Sequence, residues 1–352
     1  MIKLNPREWE VAREIPRAIK VSQIARRTGI PLPTVTRIVR RLRERGAISA
    51  IPRYSALGLS FTAFLFDVAG LSDRELNSFL ERLEELPYKV SISILRGVNR
   101  KYVLFIAVPP IDLLERYIDL LPREPVRTVR GYPLYWRPDI AKLTNYIPHL
   151  NVLLPNFEGL PGVLQEALDH DLSELLPSFR EERAKFDLYD LYILAYRQEY
   201  AFNKLRVIAD RIGISKQLLS YHFRRHVIPH LWDFNAVKLY LPLSQVPLSV
   251  LALEGREAVH VAYTLTQMPY FYSAIVGEKA AVVFYQLPCP FLSRFYRVLS
   301  EIGEVGVEAP LGVLCLDERY LRRWVPRYPT YFKEGRWVLV KGVEAETPER
   351  GC

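Results

Sequence analysis

The two halves of this 352-residue chain carry matching segments in the same order. Residues 24–30 read Ile-Ala-Arg-Arg-Thr-Gly-Ile, and residues 208–214 read Ile-Ala-Asp-Arg-Ile-Gly-Ile, at an offset of 184. Four further matches follow at offsets that fall to 179: Leu86-Pro87-Tyr88 with Met268-Pro269-Tyr270, Gly97 with Gly277, Val103-Leu104-Phe105 with Val282-Val283-Phe284, and Pro109 with Pro288. A shrinking offset is typical of a tandem duplication that has lost a few loop residues. We therefore predict that the chain contains one folded unit twice.

The first sixty residues predict three helices and a short strand. One helix begins near Pro6, and a short second helix lies between its N-cap Ser22 and its stop Gly29. A third helix is predicted over 33–45, with its apolar side chains on one face at a spacing of 3.6 residues: Val35, Ile38, Val39 and Leu42. Residues 48–54 are typical of a β strand. Together these elements predict a winged helix-turn-helix.

Positive charge is concentrated in the same sixty residues. The chain has a formal net charge of +9, and residues 1–60 contain 13 Lys and Arg against 4 Asp and Glu, which also gives +9. Such a local surplus favours a surface for a polyanion, and in this setting for double-stranded DNA. We expect base-edge and groove contacts from Thr34, Thr36, Arg37, Arg40 and Arg41, and phosphate contacts from Arg26, Arg27, Arg43 and Arg45.

The predicted recognition segment carries a family resemblance. Residues 29–35 read Gly-Ile-Pro-Leu-Pro-Thr-Val, and Arg37, Leu42 and the Gly-Ala-Ile at 46–48 follow at fixed spacing. This pattern resembles the Gly-Leu-Ser-x-x-Thr-Val…Leu…Gly-Val-Ile of the leucine-responsive (Lrp/AsnC) transcription regulators. Residues 57–59, Leu-Gly-Leu, are similar to that family's link into its effector domain. The resemblance implies a transcription regulator with a winged helix-turn-helix followed by an effector and oligomerisation domain.

Residues 61–132 predict a β-α-β-β-α-β series. Apolar and aromatic runs predict four strands, at 61–68, 90–95, 102–108 and 126–132. A capping box of Ser72 and Glu75 opens the first helix, which should end near Glu85, and a second helix is expected over 112–121. This order predicts a ferredoxin-like sandwich, which is similar to the effector domain of the Lrp/AsnC regulators. The fold class is therefore α+β, with two winged helix-turn-helix domains and two ferredoxin-like domains in tandem.

The second half repeats the plan with a less basic recognition helix. That helix is predicted over 216–227, with Leu219 and Phe223 facing inward. The residues expected to face DNA are Gln217, Ser220, Tyr221, Arg224 and Arg225. His222 and His226 have the i, i+4 spacing of metal ligands, but no third ligand is evident from sequence, so we expect packing, with no metal and no cofactor. A copy that only packs against the first head remains an alternative.

The predicted boundaries follow from this plan. They are 1–56 for the first winged helix-turn-helix, 57–135 for the first ferredoxin-like domain, 136–185 for a connector with a short helix over 163–176, 186–243 for the second winged helix-turn-helix, 244–318 for the second ferredoxin-like domain and 319–352 for a C-terminal extension. Basic and aromatic residues alternate over 320–340, a pattern that can stack on nucleic acid. We favour packing of this extension onto the sheet, and we expect 343–352 to be frayed.

Catalytic and nucleotide-binding motifs bear on the alternative that the chain is an enzyme. The sequence contains no GxxxxGK[ST], no GxGxxG after a strand and no HExxH. Siroheme decarboxylases resemble the same winged-helix and ferredoxin-like layout, and that resemblance implies a His in or near the second strand. Neither 88–108 nor 268–288 contains a His. The sequence-based prediction is therefore that the chain is not an enzyme.

A sensor or adaptor is a third candidate, because the sheet domains could bind an effector or a partner protein. The turns at 97–102 and 277–280 depart from the Gly-Asp-Tyr-Asp pattern of the family's amino-acid site, so the effector stays unidentified. Three cysteines without metal spacing, no long apolar run and no apolar leader predict a cytoplasmic protein without a membrane span. Only 15 Asn and Gln indicate a thermophilic source. A homodimer through exposed sheet faces stays open.

The sequence thus predicts a sequence-specific, double-stranded DNA-binding transcription regulator that acts as a covalent pseudo-dimer. Its recognition helix 33–45 should lie in the major groove.

Overall fold

The computed structural model describes residues 1–97, 99–171, 174 and 183–340. Within these residues the predicted mixed α+β class is confirmed. The expected fraying of 343–352 concerns residues outside those described. Among the described residues, no helix is both long and apolar enough to cross a membrane.

The first winged unit begins with a well-capped helix. It consists of α1 (Pro6–Glu14), a 3₁₀ turn (Ile15–Arg17), α2 (Val21–Thr28), α3 (Leu32–Glu44) and the strand β1 (Gly46–Pro52). Asn5 and Glu8 form a reciprocal capping box at the start of α1. The predicted apolar stripe of α3 is buried, which fixes α3 against α1 and α2.

Residues 61–135 form a four-stranded antiparallel sheet with two helices. The elements are β2 (Phe61–Asp67), α4 (Asp73–Glu84), β3 (Lys89–Gly97), β4 (Arg100–Ala107), α5 (Leu114–Ile118) and β5 (Arg127–Tyr135). The strands hydrogen-bond in the order β5-β2-β4-β3. The capping box predicted at Ser72 and Glu75 is present. The second helix is shorter than the expected 112–121, because a 3₁₀ turn (Ile111–Leu113) precedes it.

A connector follows the first sheet and packs back onto the first winged unit. It contains a hairpin that was not predicted, β6 (Thr144–Ile147) with β7 (Val152–Pro155), and α6 (Leu160–Leu168). We predicted a helix over 163–176; the helix instead starts at Leu160 and ends at Leu168, and part of the predicted range lies outside the described residues. The Tyr146 hydroxyl donates to the Leu4 carbonyl at 3.0 Å, and the rings of Tyr146 and Trp9 stack at 5.5 Å.

In the second winged unit, the predicted recognition helix is an α-helix that continues as a π-helical segment. It consists of α7 (Leu188–Glu199), α8 (Leu205–Ile212), α9 (Lys216–His222), a π-helical segment (Phe223–Leu231) and β8 (Trp232–Leu239). We predicted one α-helix over 216–227. The structure corrects both the geometry and the end, since the α-helix stops at His222 and the π-helical segment continues to Leu231. Phe223, Val227 and Leu231 are buried at a spacing of four residues, and the wider turns of a π-helix keep such positions on one face.

The last part of the chain forms a second sheet with the strand order of the first. Its elements are β9 (Ser249–Glu254), α10 (Ala258–Leu265), β10 (Phe271–Val276), β11 (Ala280–Tyr285), α11 (Leu292–Ile302) and β12 (Val313–Arg323), and the order is β12-β9-β11-β10. β12 continues past the predicted boundary at residue 318. A small hairpin, β13 (Phe332–Lys333) with β14 (Arg336–Trp337), follows, and the Trp337 ring NH donates to the Leu57 carbonyl at 2.8 Å.

Two further strand pairings join the halves. β5 pairs with β10, and β3 pairs with β12, which closes all eight strands into one barrel. Along β2, Ala63 and Leu65 point into the barrel, whereas Phe64 and Phe66 pack outward against Tyr117 of α5 and Phe79 of α4. The sequence left a homodimer through exposed sheet faces open. In the described part of the chain the inner faces of the two sheets meet each other within one barrel.

Candidate nucleic-acid interface

The exposed face of α3 is strongly basic. Five of the predicted contact residues on or next to this helix are arginines with exposed side chains: Arg37, Arg40, Arg41, Arg43 and Arg45. Thr36 is exposed and donates its hydroxyl hydrogen to the Leu32 carbonyl at 2.8 Å, which leaves the oxygen free to accept. Thr34 is half-buried. The face therefore presents several hydrogen-bond donors to solvent.

Some of these arginines are held by protein groups. Arg41 Nη1 lies 3.0 Å from Oε1 of Glu8, whose side chain is only 6% exposed. Arg43 places its guanidinium 4.2 Å from the ring centroid of Tyr200. Arg45 donates to the Lys3 carbonyl at 2.8 Å. The expectation that Arg41 reads base edges is weakened, because this carboxylate of α1 already holds it.

The remaining arginines are less constrained. Arg27 lies 3.3 Å from Glu14 at the surface, and Arg40 lies 3.8 Å from Glu44 on its own helix, which is a weak exposed pair. Across the described residues, no hydrogen bond or ion pair holds Arg26 or Arg37. These two side chains are the most available for an external anion.

The second head presents a more mixed surface. Gln217, Arg224 and Arg225 are exposed, Tyr221 is 55% exposed, and Ser220 is half-buried. The Ser215 hydroxyl caps α9 by accepting from the Leu218 amide at 3.2 Å. The predicted contact residues thus share the outer side of α9 and the π-helical segment, but with two cations instead of five.

The two heads are fixed to each other through their wings. β1 and β8 pair antiparallel from Gly46 opposite Leu239 to Pro52 opposite Trp232. The buried side-chain amide of Asn235 on β8 donates to the carbonyls of Ile15 and Ala18, at 3.1 and 2.6 Å. The separation of α3 and α9 is therefore set by a continuous hydrogen-bonded interface.

A small cavity lies between the wing sheet and the barrel. It has a volume of about 180 Å³, and it is bordered by Lys238 of β8, Arg323 of β12, Tyr135, Tyr240 and Trp324. Lys238 Nζ lies 4.6 Å from the ring centroid of Tyr135, and Arg323 donates to the Tyr240 hydroxyl at 3.2 Å. No carboxylate pairs with either cation among the described residues.

The pKa values of Lys238 and Tyr240 are perturbed in this cavity. Burial lowers the pKa of Lys238, and the nearby Arg323 lowers it further, whereas Tyr240 acts in the opposite direction. Burial raises the pKa of the Tyr240 phenol, but Lys238 and Arg323 together outweigh burial, so this pKa is lowered. The cavity can therefore receive an anion, which would compensate the desolvated Lys238 next to the exposed Arg323.

A larger cavity opens at the other end of the barrel. Its volume is about 880 Å³, and its apolar lining comes from inward-facing residues of both sheets, including Ala63, Leu104 and Val282. The cations Arg127 and Arg130 of β5 line it, together with Lys279 and two glutamates. Neither cavity could be predicted from the sequence, because neither exists until the two sheets close on each other.

The structure also brings together residues that sequence spacing kept apart. We expected no third ligand near His222 and His226, but the carboxylate of Asp190 on α7 contacts both imidazoles at 3.1 Å. Asp187 and Asp190 form the capping box of α7, which was a readable local signal. The contact of these carboxylates with residues 32 or more positions away could not be predicted from the sequence.

A comparison with family models matches residues 13–51 to the IclR helix-turn-helix domain. This range contains α2, α3 and most of β1, so the N-terminal helix-turn-helix prediction is confirmed. The predicted resemblance to the leucine-responsive regulators is supported at the level of a helix-turn-helix regulator. A search of curated proteins found no match.

Three solved structures are similar to this chain. Two are of the siroheme decarboxylase NirDL, one of them in co-complex with an iron-uroporphyrin III analogue; both are 11% identical and cover 92% of this chain, with 96% and 97% of their own length aligned and TM-scores of 0.45 and 0.42. The third is the leucine response regulatory protein LrpA of Mycobacterium tuberculosis, at 21% identity, 36% of this chain, 91% of its own length and a TM-score of 0.24.

The prediction that the chain is not an enzyme is corrected by this comparison. Structures of an enzyme align with 92% of the chain, so the prediction of no enzymatic function is not upheld. Identity of 11% and a TM-score of 0.45 transfer neither an active site nor a substrate.

Proposed function

We propose that this chain is a sequence-specific, double-stranded DNA-binding transcription regulator whose helix α3 enters the major groove. The observation that carries the proposal is the outer face of α3, where the exposed Arg37 and Arg40 lie opposite a fully buried apolar stripe. All of the net positive charge lies in the same sixty residues, so the electrostatic attraction is directed at this head. Thr34, Thr36 and the flanking arginines at 26, 27, 41, 43 and 45 complete the proposed contact set.

The proposal includes a covalent pseudo-dimer. Each half contributes a winged helix-turn-helix and a ferredoxin-like sheet, and the identical strand order of the two sheets supports descent from one duplicated unit. The paired wings support two heads at a fixed distance. Gln217, Ser220, Tyr221, Arg224 and Arg225 are the proposed contacts of the second head.

The test is selection of bound fragments from random duplex DNA at defined salt, followed by affinity measurements on the selected sequence. The variant Arg26→Ala/Arg37→Ala should bind more weakly and flatten the salt dependence, with the log–log slope falling by about 1 for each lost phosphate contact. Arg294→Ala, an exposed arginine on α11, is the matched control. Failure to enrich any sequence, or a double variant that binds with wild-type affinity and slope, would remove the proposal.

A second variant distinguishes the contributions of the two heads to DNA binding. Arg224→Ala/Arg225→Ala should weaken binding to a site with two half-sites if both heads work. Wild-type affinity of this variant, with an asymmetric selected motif, would assign DNA binding to the first head alone.

A second candidate function is response to a small anion. The observation that favours it is the pair Lys238 and Arg323, two cations without a carboxylate in the 180 Å³ cavity. Because Lys238 lies on β8, an anion there would contact the wing pair directly. Trp324 borders the cavity, so its fluorescence should change on titration with inorganic phosphate or succinate, and Lys238→Met should abolish the change. Identical titrations of wild type and variant would dismiss this site.

Tetrapyrrole decarboxylation is the enzymatic candidate. In the lining of the 880 Å³ cavity Arg127 is ion-paired with Glu254, which leaves Arg130 and Lys279 as the cations to receive substrate carboxylates. Incubation with siroheme and mass spectrometry of the product provide the test. Loss of carboxylate mass, reduced in Arg130→Ala, would establish this activity; unchanged siroheme would reject it.

A further inference from the structure

A buried carboxylate and two imidazoles converge in the second winged unit. Asp190 Oδ1 lies 3.1 Å from His222 Nδ1, and Asp190 Oδ2 lies 3.1 Å from His226 Nδ1. One ligand atom from each of the three residues lies within 4.8 Å of the others. The Asp190 side chain is fully buried, that of His222 is 8% exposed and that of His226 is 33% exposed. Two nitrogens and a carboxylate oxygen are a donor set typical of transition-metal sites.

The separations are close to those that a bound ion requires. In a tetrahedral site with bonds of about 2.0–2.1 Å, two ligand atoms lie about 3.3–3.4 Å apart. Each contact of 3.1 Å, one to each carboxylate oxygen of Asp190, is a few tenths of an ångström shorter than this value. The three ligand atoms lie within 4.8 Å of one another, so the side chains would rotate to admit an ion between them.

The surrounding charges suit a divalent cation. Asp187 Oδ1 lies 3.5 Å from His222 Nδ1, and its side chain is 49% exposed. Asp187 and Asp190 together provide two negative charges for one M²⁺ ion. Asp187 already accepts the amide hydrogens of Tyr189 and Asp190, which holds its carboxylate in place.

The half-exposed side of the cluster is open. A cavity of about 590 Å³ is bordered by Asp187, His226, His230, Arg225 and the segment 184–186. Metal and water can therefore reach His226 without unfolding of the unit. The π-helical segment that carries His226 is a geometry often found at functional sites.

We propose that Asp190, His222 and His226 bind a divalent transition metal, zinc in preference, with Asp187 or water in the fourth position. The ion would cross-link α7 to the end of α9, so that metal binding stabilises the second head. The proposal does not rest on DNA binding, because its ligands lie outside both sets of proposed DNA contacts.

Cobalt(II) is the probe of choice, because tetrahedral cobalt has a strong visible absorption that a hydrogen-bonded Asp–His pair cannot produce. The full chain, stripped with a chelator, is titrated with Co²⁺ and then with Zn²⁺. We expect one cobalt per chain, a tetrahedral absorption band, its displacement by zinc and a higher Tm with zinc than with chelator.

Two variants assign the ligands. His226→Gln and Asp190→Asn should each weaken cobalt affinity by at least about 100-fold, the upper end of what loss of an outer-shell partner costs. His230→Gln, which borders the same cavity, is the matched control and should bind as wild type. Circular dichroism shows whether each variant folds; His226→Gln changes the most exposed of the three ligands.

The outcomes are decisive. A wild-type chain without a cobalt band, or a folded His226→Gln variant with wild-type affinity, would reduce the cluster to a hydrogen-bonded packing contact and overturn the proposal. Failure of DNA selection would leave these measurements unaffected, so the two proposals fail independently.

Discussion

A β-carbon on Gly46 would lie 1.7 Å from the carbonyl oxygen of Lys238, because β1 and β8 approach closely where the two wings pair. The barrel has a similar place, where a β-carbon on Gly131 of β5 would lie 1.8 Å from the carbonyl oxygen of Val276 on β10. Both positions lie where strands of different halves meet. In both cases the obstacle is backbone, so a side chain can be accommodated only if a strand moves.

The first prediction concerns these two glycines. Gly46→Ala and Gly131→Ala should each lower the free energy of unfolding by about 2 kcal/mol, because the strand pairing must shift to remove the overlap. Gly162→Ala is the control, since it lies in α6 with open space around the added methyl group, and it should raise stability by about 0.5 kcal/mol. Thermal and denaturant unfolding measure both; a wild-type Tm for Gly46→Ala would contradict the close approach.

The second prediction separates two arginines of α3. Arg41→Ala should lower the free energy of unfolding by about 1 kcal/mol, because it leaves the buried carboxylate of Glu8 without its cation, while the exposure of Arg41 limits the effect. Arg37→Ala should leave stability within about 0.5 kcal/mol and weaken DNA binding. Paired unfolding and DNA-binding assays test this division, which fails if Arg41→Ala is as stable as wild type.

The third prediction concerns the pH dependence of Lys238. Its pKa is lowered in the folded protein, chiefly by burial, so the unfolded chain binds more protons between the folded pKa and about 10.4. Lys238→Met should therefore raise the free energy of unfolding at pH 7 by about 1 kcal/mol, and its advantage should shrink as the pH rises toward 10. The measurement is unfolding in a buffer low in anions. Lys216→Met, an exposed lysine, should show no such trend.

The fourth prediction concerns Asp317, which joins the halves at the β3–β12 pairing. Hydrogen bonds from Arg319 and from Arg96, each at 2.9–3.1 Å, hold the pKa of this carboxyl well below its usual range. Its stabilisation is complete above the unfolded pKa of about 3.9 and is lost as pH falls through the folded pKa.

Asp317→Asn should lower the free energy of unfolding at pH 7 by about 1 kcal/mol. The loss is no larger because the side chains of Arg96 and Arg319 are 49% and 73% exposed, so that solvent screens their attraction to Asp317. The gap between wild type and variant should narrow below pH 4. Unfolding followed across pH 2–7 tests this; a constant gap would show that charge is not the cause.

Much of each half could be read from local patterns. The stripe of Val35, Ile38, Val39 and Leu42 predicted α3 to within one residue at each end, because a buried helical face imposes its period on the sequence. The family match over 13–51 confirms the helix-turn-helix that this stripe indicated. The end of the second recognition helix was mispredicted, since ordinary helical periodicity does not distinguish an α-helix from a π-helical segment with apolar residues four apart.

The candidate sites were less accessible to sequence analysis. Arg37 and Arg41 cannot be distinguished from the sequence. Only the packing of α1 against α3 brings Glu8 next to Arg41. His222 and His226 showed metal-ligand spacing, but Asp190 reaches them from another helix.

The sequence by itself determined most of the local order of helices and strands, the matching segments of the two halves and the concentration of charge at one end, because these depend on neighbouring residues and on counting. Tertiary structure alone decided how the halves meet: wing against wing, and two sheets closed into one barrel. That closure depends on close backbone approach between residues more than a hundred positions apart, and it also creates the cavities at Lys238 and Arg130.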